Sequence, residues 1–364
     1  ALSVGLGLSL AWQGWQASRG QGSRPFRPRR VWPWIVLFVL AVLAGQLLLL
    51  LELLVPLTFP PFHIAAAFLP PVVILVAVGR SLRGTTRWRE MVLQVSSGAF
   101  LSTLVAFSLE FLIIVGLIAA LLLVVAWQPG GLEVIRSLTE RLQDPVHLGP
   151  LVRSPPVLLA AALVFAGLIP LVEEAVKALG VPLLVYRRPT RAQAFLWGLA
   201  GGAGFAAVEG LFNTQGGLEV WAPVVSMRVG ASLLHCFTGG LMGLAWYYLL
   251  IERRWLWVVG LYAASAGVHG LWNGLAGLVS VLSLSSPDKD VMAIQGLTGA
   301  GALVAVALLL GLALAVGLGL AAATRFVRGH SPVEAGSSPA TSKSSSLASI
   351  EGSLVIVSSC FSFK

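Results

Sequence analysis

Long apolar runs separated by short clusters of arginine, proline and glycine set the pattern of this chain. A bilayer core about 30 Å thick is crossed by about 20 apolar residues in a helix. Eight runs are of that order: Val31–Leu54, Phe62–Gly79, Leu93–Trp127, Val157–Tyr186, Ala192–Phe212, Pro223–Leu250, Trp255–Leu284 and Met292–Ala323. Pro70 and Pro71 interrupt the second, and the third is long enough to tilt or protrude. Ala1–Ala17 is apolar but short, and reads either as part of a further span or as a signal-like anchor. The pattern predicts an all-α polytopic membrane protein of about eight transmembrane helices around a core helix bundle.

The chain then divides into six parts. An N-terminal apolar stretch and basic segment cover 1–30, and accessory transmembrane helices cover 31–127. A loop at 128–156 carries Glu133, Glu140 and Asp144 and suits a short surface helix. Four helices at 157–284 form the core, and the last transmembrane helix lies in 285–323. The tail, 324–364, is rich in Ser, Ala and Gly from His330 onward and reads as disordered. Its last apolar patch, Leu354–Phe363, is too short to cross.

Charge gives these spans a direction. Arginines cluster at Arg19–Arg30, Arg80–Arg89, Arg187–Arg191, Arg253–Arg254 and Arg325–Arg328. The alternate loops hold only Arg136, Arg141, Arg153 and Lys289, accompanied by acids. Eight spans put every basic cluster on one face, which the positive-inside rule makes the cytoplasmic one. Both ends of the eight-helix unit then lie inside.

Composition closes off other classes. Hydrophobic types make up 57% of the 364 residues and charged types 11%, against about 45–50% and about 25% in soluble domains. The net charge of +9 is spent in loops beside apolar runs, so no nucleic-acid partner is expected. Two cysteines, Cys236 and Cys360, provide neither a disulfide framework nor a cysteine zinc site.

Ionisable groups inside spans are costly and point to function. Span four carries Glu173, Glu174 and Lys177; span five Glu209; span six Arg228 and His235; span seven His269 and Asn273. Glu173 and Lys177 share a helix face, as do His269 and Asn273. Counted from the nearest basic residue at about 1.5 Å per residue, Glu173 stands about 21 Å, His269 about 22 Å, and Glu209 and His235 about 27 Å into the membrane. Helices running in alternating directions thus bring polar groups to one level, in the half of the bilayer away from the arginines. Pro170, just before the glutamate pair, predicts a kink and a carbonyl in need of a partner. Gly198/Gly202 and Gly270/Gly274 have the spacing of close helix contacts. Glu110 and Gln46 read as links between helices, with Glu110 within reach of the same cavity.

Adjacent carboxylates, two histidines and an amide are parts for activating water. A glutamate acts as general base, a histidine shares the proton, and a histidine–asparagine pair stabilises an oxyanion. The reaction class is peptide hydrolysis within or beside the membrane. No G-x-S-x-G or G-x-G-D motif competes with it. Cys236 follows His235 directly, so the two point about 100° apart on a helix and make a poor dyad.

The motifs resemble those of the PrsW family of intramembrane proteases, within the superfamily that includes the type II CAAX prenyl endopeptidases. The E-E-x-x-K pattern stands at Glu173–Lys177, F-x-x-x-E at Phe205–Glu209, the isolated histidine at His235, and H-x-x-x-D/N at His269–Asn273. Together they cover about Leu158 to Leu284. The resemblance implies cleavage of a membrane-anchored protein substrate near its extracytoplasmic side, an anti-sigma factor in the best-studied family role. It implies Glu173 or Glu174 as the water-activating base, with Glu173 preferred, and His269 with Asn273 at the oxyanion. Lys177, Glu209 and Arg228 take supporting roles. No H-E-x-x-H motif is present and the ligands would come from different helices, so a glutamic mechanism without cofactor is expected ahead of a zinc-dependent one. A converging set of carboxylates also describes an ion- or proton-coupled transporter, although no inverted repeat accompanies it. A non-cutting scaffold is the third class, and the intact set of motif residues argues against it.

Overall fold

The computed structural model describes residues 2–143, 154–213, 221–283 and 292–329. The tail beyond Gly329, Asp144, Arg153, Lys289 and Cys360 lie outside the described residues, and with them the expected disorder of the tail. All regular structure among the described residues is helical. In chain order the helices are α1 (Leu2–Ser18), α2 (Trp32–Leu50), α3 (Val55–Ser81), α4 (Trp88–Ser96), α5 (Thr103–Ala126), α6 (Gly131–Gln143), α7 (Pro155–Ala162), α8 (Ile169–Val176), α9 (Arg191–Asn213), α10 (Trp221–Tyr247), α11 (Trp255–Ser283) and α12 (Met292–Gly329). Wide π-helical turns at Ser97–Ser102 and Leu163–Leu168 join α4 to α5 and α7 to α8.

Seven helical segments among the described residues are long and apolar enough to cross a bilayer. Eight were expected. The difference is α11, an unbroken helix of 29 residues that carries His269, Asn273 and several glycines and is not among the seven. The loop at 128–156 contains the expected surface helix as α6, whose Glu140 pairs with Arg136 at 3.3 Å.

Span four departs from the expectation in a second way. It does not run helically to Tyr186. The α-helix ends at Val176, the chain turns through 177–181, and a 3₁₀ helix covers Pro182–Arg187. The depth of Glu173 therefore cannot be counted along one continuous helix. It is fixed by what α8 packs against.

Helix α9 lies at the centre, with nearly every residue from Ala192 to Ala207 buried. Its sequence explains how: small residues let backbones approach closely. A Cβ at Gly198 would strike the backbone of Gly239 and Gly243 on α10, and one at Gly202 would strike the carbonyl of His235. On the opposite side Gly201 and Gly204 accept the π turn, where Gly98 meets Gly201 and Gly204 meets Val95. The stripe at Gly198/Gly202 thus sets the distance between Glu209 and the histidine of α10. Gly270 on α11 lies against the carbonyl of Ala166 in the second π turn.

The basic face has its own polar network. The buried Glu90 carboxylate accepts from Thr86 Oγ1 at 2.5 Å, the Arg87 amide at 3.1 Å and Arg187 Nη1 at 2.7 Å. Trp197 Nε1 of α9 donates to Thr86 Oγ1 at 2.8 Å. The segment before α2 is pinned onto this network. The Phe26 amide donates to the Thr86 carbonyl at 2.8 Å, and the Phe26 ring sits against Gly79.

Candidate active site

The break after α8 creates the first part of the site. Glu173, Glu174 and Lys177 are all buried, and the Lys177 amide closes the last turn on the Glu173 carbonyl at 2.8 Å. The carbonyls left open where the helix stops are met from the α4–α5 span. Ser102 Oγ donates to the Lys177 carbonyl at 3.1 Å and Gln94 Nε2 to the Gly180 carbonyl at 2.8 Å. Buried backbone acceptors need such partners. An abrupt helix end can persist here because two polar side chains of a neighbouring span cover it.

Two carboxylates organise the centre. Glu174 Oε1 accepts from Lys177 Nζ, from Thr238 Oγ1 at 3.1 Å, and meets His269 Nδ1 at 2.8 Å. Glu209 Oε2 meets His235 Nε2 at 2.5 Å and Arg228 Nη2 at 3.0 Å, while its Oε1 accepts from Asn213 Nδ2 at 2.8 Å. Each histidine is therefore backed by its own glutamate. The two imidazoles meet nearly edge to face, with centroids 4.9 Å apart at 82°. Phe205 covers them from one side, 5.6 Å from the His235 ring and 5.2 Å from Lys177 Nζ.

Glu173 completes the cluster. Its Oε2 lies 3.6 Å from His269 Nε2 and 3.9 Å from Lys177 Nζ, and has no hydrogen-bond partner. His235 Nδ1 and Glu174 Oε2 are likewise buried without one. Glu173, His235 and His269 each offer a ligand atom, all within 4.8 Å of one another.

Glu110 of α5 is within electrostatic range of Glu173, Glu209 and Lys177, and its Oε1 is buried without a partner. It belongs to the stripe Ser102–Ala106–Glu110, one turn apart each, whose Ala106 packs with Val176 and Phe205. Glu173 Oε2 and His235 Nδ1 are buried without partners and group with His269, so the donor set fits a metal.

The structure thus brings Glu173, Glu174, Lys177, Glu209, Arg228, His235 and His269 together. It gives Asn273 a different neighbour: its amide nitrogen donates to the Phe165 carbonyl at 3.0 Å. The reason lies in Pro170, which has no N–H. In the π register that donor would have served Phe165, and in the α register Ala166. Asn273 supplies the missing donor to Phe165, and Gly270 brings the α11 backbone against the Ala166 carbonyl. The partner expected for the proline-freed carbonyl is therefore the residue expected at the oxyanion. Sequence reasoning missed Thr238 and Asn213. Thr238 follows His235 by three residues and shares its face, a signal that was readable; Asn213 follows Glu209 by four. Cys236 is buried in the apolar core, apart from this cluster.

Acid-backed histidines and unpartnered carboxylates deep in a helical membrane bundle are the groups that a hydrolase working inside the bilayer would use. A model described as "PrsW family intramembrane metalloprotease" matches residues 86–316, well over half the chain. The chain belongs to that family. The match extends beyond the four motif-bearing helices to α4, α5 and most of α12. Comparison with curated proteins and with solved structures gave no match.

Proposed function

We propose that this chain is a metal-dependent intramembrane endopeptidase whose metal is held by Glu173, His235 and His269. The observation that carries this reading is the grouping of those three ligands from three helices within 4.8 Å, with a carboxylate behind each histidine. Metal-bound histidines are typically oriented in this way, because the carboxylate holds one ring N–H and leaves the other nitrogen to ligate. This takes up the zinc alternative in place of the metal-free glutamic mechanism expected from the motifs. A bound zinc would polarise the scissile carbonyl and activate water at neutral pH.

The protein's own groups have separable tasks. Glu209, held by Arg228 and Asn213, fixes the ring of His235. Glu174, held by Lys177 and Thr238, fixes His269 through its Oε1. Glu174 Oε2 carries no hydrogen bond and is the acceptor left for the proton of the attacking water. Phe205 and the buried walls of α9 and α10 exclude bulk water from the centre. Asn273 holds span four in place through Phe165.

The substrate class is a membrane-anchored protein, cut near its extracytoplasmic side. Glu209 stands 18 residues, about 27 Å, along α9 from Arg191, so the centre lies in the half of the bilayer away from the basic face. With the basic face in the cytoplasm, that is the outer half. An anti-sigma factor fits this description.

The test uses the purified full chain in detergent with a single-span reporter. The expected result is about one zinc per chain, loss of cleavage with a chelator and recovery on adding zinc. Glu173→Gln and His269→Ala should each lose both metal and cleavage while remaining folded. Undiminished cleavage by metal-free protein would overturn the metal reading and restore the glutamic one. Undiminished cleavage by both variants would remove the site altogether.

A further inference from the structure

A crevice of about 440 Å³ separates the last turns of α3 and α12 at the basic face. Its inner part is apolar, made by Ala77 on α3 and by Gly317, Leu320 and Ala321 on α12. Its outer part is polar, made by Ser81, Thr324, Arg325 and Arg328. From Gly317 to Arg328 the helix rises about 16 Å, so the lining changes from apolar to cationic over the depth at which a phospholipid changes from acyl chain to headgroup.

The hydroxyls at the rim are already committed. Ser81 Oγ donates to the Ala77 carbonyl at 3.4 Å and Thr324 Oγ1 to the Leu320 carbonyl at 2.7 Å. The donors left for a ligand are the two guanidinium groups. They lie three residues apart on one helix face, are exposed, and form no ion pair among the described residues. Their planar forks match phosphate oxygens, and pockets of this kind between membrane helices take anionic headgroups.

We propose that this crevice binds one anionic phospholipid, its phosphate on Arg325 and Arg328 and its acyl chains over Gly317 and Ala321. The occupant fills a seam where α3 and α12 barely touch. Further along, α12 packs through Leu309 and Val316 against Ala231, Leu234 and Trp272, on the helices that carry His235 and His269. A lipid that anchors the basic end of α12 therefore steadies the outer wall of the site from a distance. The proposal concerns binding and stands whether or not the chain cleaves peptides.

The experiment is thermal unfolding of the full chain in detergent, followed by tryptophan fluorescence, with phosphatidylglycerol, phosphatidylcholine or inorganic phosphate added. Phosphatidylglycerol should raise Tm by several degrees over phosphatidylcholine, and inorganic phosphate should not. The double variant Arg325→Gln/Arg328→Gln should lose at least half of that difference. Ala321→Phe, which plugs the crevice without changing charge, should lose it too. Native mass spectrometry should show one retained phosphatidylglycerol on the wild type and none on either variant. If one variant fails to fold, the other decides. Equal shifts from both lipids, a full shift from phosphate alone, or an unchanged shift in a folded variant would overturn the proposal.

Discussion

Two buried acidic networks sit at opposite depths of this protein, and they differ in how completely they are satisfied. At the basic face, Glu90 accepts from a hydroxyl, an amide and a guanidinium, and Thr86 also takes the indole of Trp197. That network ties the N-terminal segment, α4, the 3₁₀ turn and α9 together and leaves its carboxylate fully engaged. In the deep cluster, Glu174 and Glu209 are each gripped by three donors, yet Glu173, Glu110 and His235 keep buried atoms without partners. A buried polar network that is only partly satisfied is costly as architecture. It becomes economical when something else completes it. The contrast separates a clamp from a candidate reaction centre more sharply than burial does, since Glu90, Glu173 and Glu174 are all buried.

The comparison can be broken most decisively at Glu173. Glu173→Gln keeps the shape but removes the charge, and reporter cleavage should fall to background with loss of bound metal, measured by elemental analysis. Glu209→Gln should have the next largest effect. It leaves His235 in place without its carboxylate, and metal affinity or cleavage should drop about 10–100-fold, read from a zinc titration alongside turnover. Asn273→Ala discriminates between two roles. An oxyanion donor would cost about 100–1000-fold in turnover. The support role seen here predicts less than about tenfold, together with a loss of about 1–3 kcal/mol in stability from the exposed Phe165 carbonyl, visible as a lower Tm. Glu90→Gln should leave the metal content and the turnover per folded molecule unchanged. Its effect should be a stability loss alone, of about 1–3 kcal/mol, read as a lower Tm. A fall in turnover beyond the folded fraction would show that the two networks are coupled.

Much of the site was legible because membrane helices have so few reasons to carry charge. Glu209, His235 and His269 could be read as one group from their depth, and Glu173, Glu174, Lys177 and Arg228 joined them as charges within neighbouring spans; the structure brings all seven together. Their pairing could not be read. Glu174 takes Lys177 together with His269 and Thr238, a combination that helical spacing does not specify. Asn273 was read as partner to His269 because the two share a face, and a face does not say what lies opposite. Only the π turn and Pro170 reveal that Phe165 needs a donor there.

The fold divides in the same way. Apolar runs long enough to span a bilayer, arginine clusters alternating between them and small-residue spacings are local properties, so the sequence by itself determined an all-α membrane bundle and the helices that hold its polar groups. The early end of span four, the depth of Glu173, the carboxylate behind each imidazole and the grouping of Glu173, His235 and His269 depend on contacts between residues far apart in the chain. Tertiary structure alone decided them, because a buried donor is assigned by whichever acceptor packing places within about 3 Å of it.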